Sequence, residues 1–204
     1  MKNNLISILF LVLLSAQASV QAAKFNYNKI SLGYADFTVE MIGISDDLKA
    51  DGYDLTASFD ANKQFAVTFG IANAAGDVNI SGSKVGLDVD AKMLGILFHA
   101  PVSQKTDVLL GAALLLGEVK AKVGGFPATK NDKDGQLVSI GVRTMLSDKL
   151  ELNVGADQSF FDGETDTGLN LGVEGYMSKH VSLGLHFSSS DDSQSTIFSA
   201  SKYF

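Results

Sequence analysis

Apolar and polar residues alternate one for one along most of the chain after residue 50. Phe65, Val67, Phe69 and Ile71 alternate with small or polar residues, and the same two-residue period returns after each short polar connection. Strict alternation is typical of β-strands with one apolar face, and no helical period competes with it over a comparable window. The pattern predicts ten strands, with eight as the alternative if two weak strands are loops. They lie near residues 25–40, 52–60, 65–72, 85–100, 107–120, 136–146, 150–158, 168–177, 181–188 and 195–204.

The connections between the predicted strands alternate in length. Short turns are expected at 60–64, 101–106, 147–149 and 178–180, and longer polar loops at 41–51, 73–84, 121–135, 159–167 and 189–194. Short turns at one end and long loops at the other are typical of outer-membrane barrels. An even number of strands then places both mature termini at the short-turn end, in the periplasm.

Two local features refine the predicted strands. Both prolines, Pro101 and Pro127, are expected in connections, because proline cannot donate to a sheet. In the fourth strand the apolar residues change face near Met93. We expect a β-bulge there, because an extra residue in one strand reverses which side chains share a face.

The first residues follow a different pattern. Lys2 precedes an apolar stretch from Leu5 to Leu14, and small residues then recur at cleavage spacing up to Ala22. This is the pattern of a secretory signal peptide, and the apolar stretch is too short to span a bilayer as a helix. The sequence therefore predicts a signal peptide over 1–22 and one barrel domain over 23–204.

Composition narrows the possible functions. The formal net charge is −7, which argues against a nucleic-acid partner, and the chain has no cysteine, which excludes disulfides and zinc–thiolate sites. Walker loops, G-x-S-x-G and H-E-x-x-H motifs are absent from the sequence. We expect no cofactor and no bound metal.

The second face of the strands indicates which side of the barrel is apolar. It carries serines, a few charges and several glycines rather than the Lys, Glu and Thr of a water-exposed strand: Gly70, Gly141, Gly155, Gly172 and Gly184. Glycine suits an interior where backbones approach closely, so the apolar face is expected to contact lipid. The fold class is therefore an all-β, antiparallel transmembrane β-barrel. A soluble periplasmic ligand-binding barrel, with its apolar face inside, is the alternative.

The chain resembles the small outer-membrane β-barrels of Gram-negative bacteria, the group that includes the OmpA-type transmembrane domain. The resemblance covers the whole mature chain. It rests on the signal peptide, the alternating strands, the stretches Asp51-Gly52-Tyr53 and Gly141-Val142-Arg143, and the terminal Phe204. It implies a location in the cell outer membrane, contact with its lipid and lipopolysaccharide, and recognition of Phe204 by the barrel-assembly machinery. We expect a monomer with a structural, narrow-pore or surface-contact role.

One pair of residues offers enzymatic chemistry. His186 and Ser188 share a strand face, so the imidazole could activate the hydroxyl, with Asp191 or Asp192 as the orienting acid. The pair resembles the His-x-Ser of outer-membrane lipid A deacylases. Both residues, however, share the polar face of the strand, away from lipid. We therefore predict that the protein is not an enzyme and that it has no catalytic residue, with a lipid A-modifying enzyme as the alternative.

Charged residues on the polar face predict an ionic cluster inside the barrel. Arg143 precedes the turn at 147–149, and Glu151 and Asn153 follow it, so a hairpin closed there brings them level. Glu174 precedes the next short turn by a similar distance. A lone charge in a confined interior is costly, and pairing lowers that cost. We predict that Arg143 bridges Glu151, Glu174 or both, and that the cluster forms a plug.

Overall fold

The structure is a computed structural model that describes residues 25–39, 48–80, 83–123, 126–161, 164–191 and 193–204. The predicted signal peptide over 1–22 lies outside these residues. The prediction of ten strands is confirmed. The strands are β1 Lys29–Val39, β2 Leu48–Asp60, β3 Phe65–Ile80, β4 Ser83–Ser103, β5 Thr106–Val123, β6 Phe126–Ser147, β7 Leu150–Phe161, β8 Glu164–Tyr176, β9 Val181–Ser189 and β10 Ser193–Tyr203.

The strands form a closed antiparallel barrel in sequence order. Each strand pairs with the next along the chain, and β1 closes the ring on β10 in an unbroken register from Lys29↔Tyr203 to Val39↔Ser193. Short turns join the strands at residues 61–64, 104–105, 148–149 and 177–180, which confirms the predicted short-turn end. Among the residues that the structure describes, no helix is long and apolar enough to cross a membrane.

The outward face of the barrel carries a belt of apolar side chains. Leu32 on β1, Ile96 on β4 and Leu183 on β9 expose more than half of their surface, and similar residues surround the barrel on every strand. A face this apolar is stable in lipid and not in water, as in outer-membrane barrels with an apolar band about 25 Å tall. The apolar face therefore lies outside, as the glycines on the second face predict.

Strands β3 to β6 continue well past the apolar belt at the loop end. At about 3.3 Å per residue, residues 83–92 take β4 roughly 30 Å further along its own direction. We call this extension, residues 73–80, 83–92, 117–123 and 126–136, the projecting sheet. The predicted loops at 73–84 and 121–135 are therefore wrong, since these polar residues are mainly strand. The outer face of these strand segments is not apolar because this part of the sheet lies beyond the lipid.

The change of face near Met93 has the same explanation, and the predicted bulge there is wrong. The pairing of β4 with β3 runs without a shift from Ser83 to Phe98. Lys92 and Leu94 lie on the same outward face, on either side of the edge of the belt. Register shifts occur instead beside the prolines: next to Pro101 in β4, and opposite Pro127 where β5 pairs with β6. Both prolines thus lie within strands rather than in connections, at positions where bulges accommodate the missing donor.

Placing arginine on the lipid-facing surface tests the outward belt. Leu183 is 53% exposed on the apolar face of β9, two residues further from the turn than Val181. We expect Leu183→Arg to lower the free energy of unfolding by about 2–4 kcal/mol, because a cation near the bilayer midplane is poorly solvated. Urea titration in lipid vesicles measures this. The same substitution at Val181, beside the turn, should cost roughly 0–1 kcal/mol. An equal cost at both positions, or a water-accessible spin label at Leu183, would contradict the membrane placement.

Candidate functional site

Ionisable and aromatic side chains meet inside the barrel at the short-turn end. We call this group the turn-end cluster. Its members face inward from the segment before β1 and from β5, β6, β7, β8 and β10: Tyr27, Asp107, Arg143, Glu151, Glu174, Tyr176 and Tyr203. All except Tyr176 are buried. The alternation of side chains along each strand explains why these residues meet. Every second residue points inward, and the strand register places inward residues of neighbouring strands side by side.

Arg143 and Glu151 form the centre of the cluster. The two strands that carry them meet at the turn over 148–149, and Arg143 pairs in register with Asn153. Arg143 Nε donates to Glu151 Oε1 over 2.6 Å, and neither side chain is more than 5% exposed. Asn153 Nδ2 donates to the same oxygen over 2.8 Å, and the Tyr176 hydroxyl donates to Oε2 over 2.6 Å. The glutamate is therefore satisfied on both oxygens, as a buried carboxylate requires.

Glu174 lies directly opposite Glu151 in the register of β7 with β8. The contacts found in the described residues join it to groups other than Arg143. Tyr203 Oη donates to Glu174 Oε1 over 2.6 Å, Ser182 Oγ donates to the same atom, and Lys29 Nζ lies 3.8 Å from Oε2. Of the two predicted partners, Arg143 thus contacts Glu151, while a lysine from β1 stands beside Glu174. Two like charges lie side by side, and each has its own cation.

The segment before β1 covers the cluster. Tyr27 is buried, its hydroxyl donates to Asp107 Oδ2 over 2.7 Å, and its ring stacks on His99 at 3.8 Å between centroids. The Arg143 guanidinium lies 4.6 Å from the Phe25 ring centre and 4.9 Å from that of Tyr27. Such cation–π contacts stabilise a cation removed from water. Burial raises the pKa of the Tyr27 phenol, which therefore keeps its proton and remains a donor.

His99 lies at the end of the predicted strand over 85–100, a position at which a solvated or interfacial side chain is expected, but the structure buries it. It is only 7% exposed, beneath the Tyr27 ring, with Nε2 3.5 Å from Asp60 Oδ1. The reason is the length of β4, which continues to Ser103 and so keeps residue 99 inside the barrel.

A cavity of about 300 Å³ lies above the cluster, towards the loop end. It begins at Asn153 and Leu109 and extends to Ser188 and Ser195. His186 also lines it, so both residues of the enzymatic alternative face the lumen. Ser188 Oγ lies 2.8 Å from Ser195 Oγ. Among the contacts of the described residues, no hydrogen bond joins His186 to Ser188, and the nucleophile is not paired with its base.

The remaining predicted site residue, Phe204, lies at the end of the last strand. It is 58% exposed, and its backbone N–H donates to the Asn28 carbonyl oxygen over 3.1 Å. Its neighbour Tyr203 points the opposite way, into the cluster. Recognition of this outward terminal aromatic by an assembly machinery stays a prediction.

Among the described residues, no group of three or more His, Cys, Asp or Glu side chains could hold a metal ion.

The sequence prediction does not include four of the seven residues of the cluster. Tyr176 and Tyr203 share the inward face with Glu174 and Ser201, so extending the same alternation to the strand ends would have found them. Asp107 could have been found similarly, because it pairs with Arg143 across β5 and β6. Tyr27 offered no such signal, since it precedes β1 and enters the barrel as a non-strand segment.

Breaking the central ion pair should be costly. We expect Glu151→Ala to lower the free energy of unfolding by about 3–5 kcal/mol, because Arg143 is left buried without a counterion. Lys130→Ala is the matched control. It removes an ion pair with Glu118 of the same 2.6 Å length, but the lysine is 56% exposed, so the cost should stay below about 1 kcal/mol. Urea titration in one lipid system measures both. Equal costs would show that the cluster is as well solvated as the surface pair.

The comparisons with known proteins agree with this architecture. No curated protein matches the sequence. Among solved structures, the translocator domain of the autotransporter NalP from Neisseria meningitidis is similar, with a TM-score of 0.56 and 11% identity over 98% of this chain and 96% of that one. The transport unit of the autotransporter AIDA-I from Escherichia coli has a TM-score of 0.55 and 10% identity, over 93% and 94%. The KdgM porin has a TM-score of 0.50 and 9% identity, over 85% and 99%. At these sequence identities the similarity concerns the fold alone.

Residues 6–203 match the outer membrane protein beta-barrel domain, and the chain belongs to that family.

Proposed function

We propose that the protein is a non-enzymatic outer-membrane barrel, closed at one end of its lumen, that presents the projecting sheet as a contact surface outside the cell. The turn end, with both termini of the mature chain, then faces the periplasm, as short turns do in this class of barrel. The observation that carries the proposal is the buried turn-end cluster, which occupies the lumen where a pore would need water.

The cluster supports a plug rather than a channel lining. Glu151 is fully buried and Arg143 is 4% exposed, so neither contacts a continuous water column. Charged residues that line an open pore would instead be hydrated. A small barrel leaves little room, since eight strands already enclose only enough space for side chains. In ten strands, three tyrosines and several paired charges fill the cross-section of the lumen.

The segment that completes the plug stands close to the proposed cleavage site. Cleavage after Ala22 would leave Phe25 and Tyr27 near the new N-terminus. Phe25 and Tyr27 flank the Arg143 guanidinium, and Arg143 Nη1 donates to the Asn26 carbonyl oxygen over 3.5 Å.

The projecting sheet supports a role at the cell surface. Its outward face carries ion pairs between neighbouring strands: Lys84 with Asp77 at 2.8 Å, Lys120 with Asp90 at 3.2 Å, Lys130 with Glu118 at 2.6 Å, and Lys122 with Asp88. A further pair, Lys120 with Glu118 at 2.5 Å, lies within β5. Exposed pairs of this kind add little stability. They keep a long sheet soluble and cover its outer face with mixed charge, which steers contacts with other charged surfaces.

Conductance in planar lipid bilayers tests the plug. We expect the wild-type barrel to form no large, stable open pore. Arg143→Ala should open a larger conductance, because it removes the cation that holds Glu151, Tyr27 and Phe25 together in the lumen.

The control for this experiment is Lys130→Ala, which removes a charge from the outward face of the projecting sheet and should leave the conductance unchanged. A shift in gel mobility before and after boiling verifies that each variant is folded. A wild-type protein that already forms a large, stable pore would refute the plug.

Lipid analysis tests the enzymatic alternative. Ser188 and His186 face the lumen, and membrane lipid contacts the opposite face of the wall. We expect Ser188→Ala to leave the lipid A composition of overproducing cells the same as that of cells producing the wild type. Mass spectrometry of extracted lipid A measures this. If the wild type modifies lipid A and the variant does not, the non-enzymatic assignment is wrong.

A further inference from the structure

Each of the four short turns carries one lysine: Lys63, Lys105, Lys149 and Lys179. All four residues are exposed, and among the ion pairs of the described residues none involves them. Four lysines of the projecting sheet differ, because each pairs with an acidic neighbour: Lys84, Lys120, Lys122 and Lys130. The lysines of the turns therefore lack the counterions that these lysines at the opposite end of the barrel have.

The turns are positive on a chain that is acidic as a whole. They carry four lysines against a single acid, Asp148, a formal charge of +3, whereas the whole chain carries −7. Asp60, which precedes the first turn, has partners of its own, since it accepts from the Asn28 amide and lies beside His99. A separation of charge on this scale attracts anions to the turn end.

The same local structure fixes all four turns. In each, a side-chain oxygen accepts the backbone N–H of the residue two positions later, over 2.9–3.3 Å: Asn62 with Gln64, Ser103 with Lys105, Ser147 with Lys149, and Ser178 with His180. Such bonds stabilise a turn. The backbone of each lysine is therefore held in place while its ammonium group stays exposed. Neighbouring turns are two strands apart around the ring, so their lysines stand roughly 10 Å from one another.

A cavity of about 1150 Å³ lies between the turns, outside the turn-end cluster. We call this cavity the turn-end mouth. Its lining includes the lysines of three turns and the polar residues beside them: Lys105, Lys149, Lys179, Gln104, Ser147 and Ser178. Asp148 is the one acidic residue in the described part of the lining, and Phe25 and Met145 contribute apolar side chains. Small-molecule sites measure about 300–1,000 Å³, so the mouth suits a longer ligand.

The lining favours one class of anion. Lipid phosphates lie outside the wall of the barrel, whereas the three lysines border a cavity inside the ring of turns. A phosphate or sugar chain has no apolar group to place against Phe25 and Met145. A peptide supplies carboxylates for the lysines and apolar side chains for these two residues. In an extended peptide, carboxylates three residues apart are about 10 Å apart, which matches the spacing of lysines on neighbouring turns.

We propose that the turn-end mouth binds an acidic, partly apolar peptide segment of a periplasmic protein. The carboxylates of this segment lie at the three lysines of the mouth, and its apolar side chains lie at Phe25 and Met145. This goes beyond the proposed function, which assigns contacts to the projecting sheet alone, and it takes from that function only the periplasmic position of the turns. The barrel then has a contact surface on each side of the membrane.

Fluorescence anisotropy of labelled peptides, with the barrel in phosphatidylcholine nanodiscs, tests the site. The probes are peptides of three Glu-Val-Thr, Gln-Val-Thr or Glu-Ser-Thr repeats, and empty nanodiscs measure their binding to lipid. We expect saturable binding of the Glu-Val-Thr peptide. The Gln-Val-Thr peptide should bind about tenfold more weakly, because it lacks the carboxylates that the lysines attract. The Glu-Ser-Thr peptide should also bind more weakly, because it has no side chain to bury against Phe25 and Met145.

Two triple variants with the same net charge localise the binding. Changing the lysines of the mouth together, as Lys105→Gln, Lys149→Gln and Lys179→Gln, should weaken binding of the Glu-Val-Thr peptide about tenfold, because three exposed ion pairs are lost. The matched control changes three lysines of the projecting sheet, Lys84→Gln, Lys120→Gln and Lys130→Gln, and should leave binding unchanged. Gel mobility before and after boiling verifies that both variants fold.

The proposal is overturned if binding to the wild type does not saturate, if either substituted peptide binds as tightly as the Glu-Val-Thr peptide, or if the two triple variants bind alike. Binding must also persist in nanodiscs that contain phosphatidylglycerol, because its loss there would mean that lipid phosphates occupy the lysines and would equally overturn the proposal. Failure of the plug is a separate result, because it appears as an open conductance, whether or not the peptide binds.

Discussion

Every backbone N–H and C=O group within lipid must have a partner in the protein, because the hydrocarbon offers none. A β-strand satisfies this constraint only with a neighbour on each side, so the sheet must close and β1 must pair with β10. Closure then assigns the two faces of every strand. One face contacts lipid and is apolar, and the other faces a narrow interior in which any charge must find an opposite charge. The turn-end cluster follows from this confinement as directly as the apolar belt does.

The need to pair every backbone group within the protein ends at the edge of the lipid, and the strands on the two sides of the barrel differ beyond that edge. The strands on one side stop close to the belt, while β3 to β6 continue into water as the projecting sheet. In water a sheet edge is permitted, so β6 extends over 126–134 without β7 beside it. Its outward face changes from leucine and isoleucine to lysine and aspartate at Lys92 on β4, because the solvent changes there and the pairing does not.

Alternation in the sequence was sufficient to predict the number of strands, the short turns, the lipid-facing side and the position of Arg143 level with Asn153. These features depend only on a two-residue period and on the local turn between neighbouring strands. The parts of the projecting sheet at 73–80, 121–123 and 126–135 do not follow from the sequence, because the prediction requires an apolar face and the outer face of these segments is charged. The partner of Glu174 was missed because Lys29 is far away in the sequence and becomes a neighbour only through closure. Tyr27 was missed because it lies outside the alternating strands.

The seam between the first and last strands has a consequence for the order of folding. Ser31 and Ser201, which share a hydrogen bond across that seam, are 170 residues apart in the sequence. The turn-end cluster takes residues from far apart in the chain, Tyr27 before the first strand and Tyr203 at the end of the last. Contacts between such distant residues form late, because the entropy of closing a long loop must be overcome before they stabilise anything. The hairpin of β6 and β7 can therefore bring Arg143 and Glu151 together early, while their burial waits for the final strand. An incompletely assembled barrel thus keeps its central charges hydrated, and dehydration of that pair coincides with the last step of assembly.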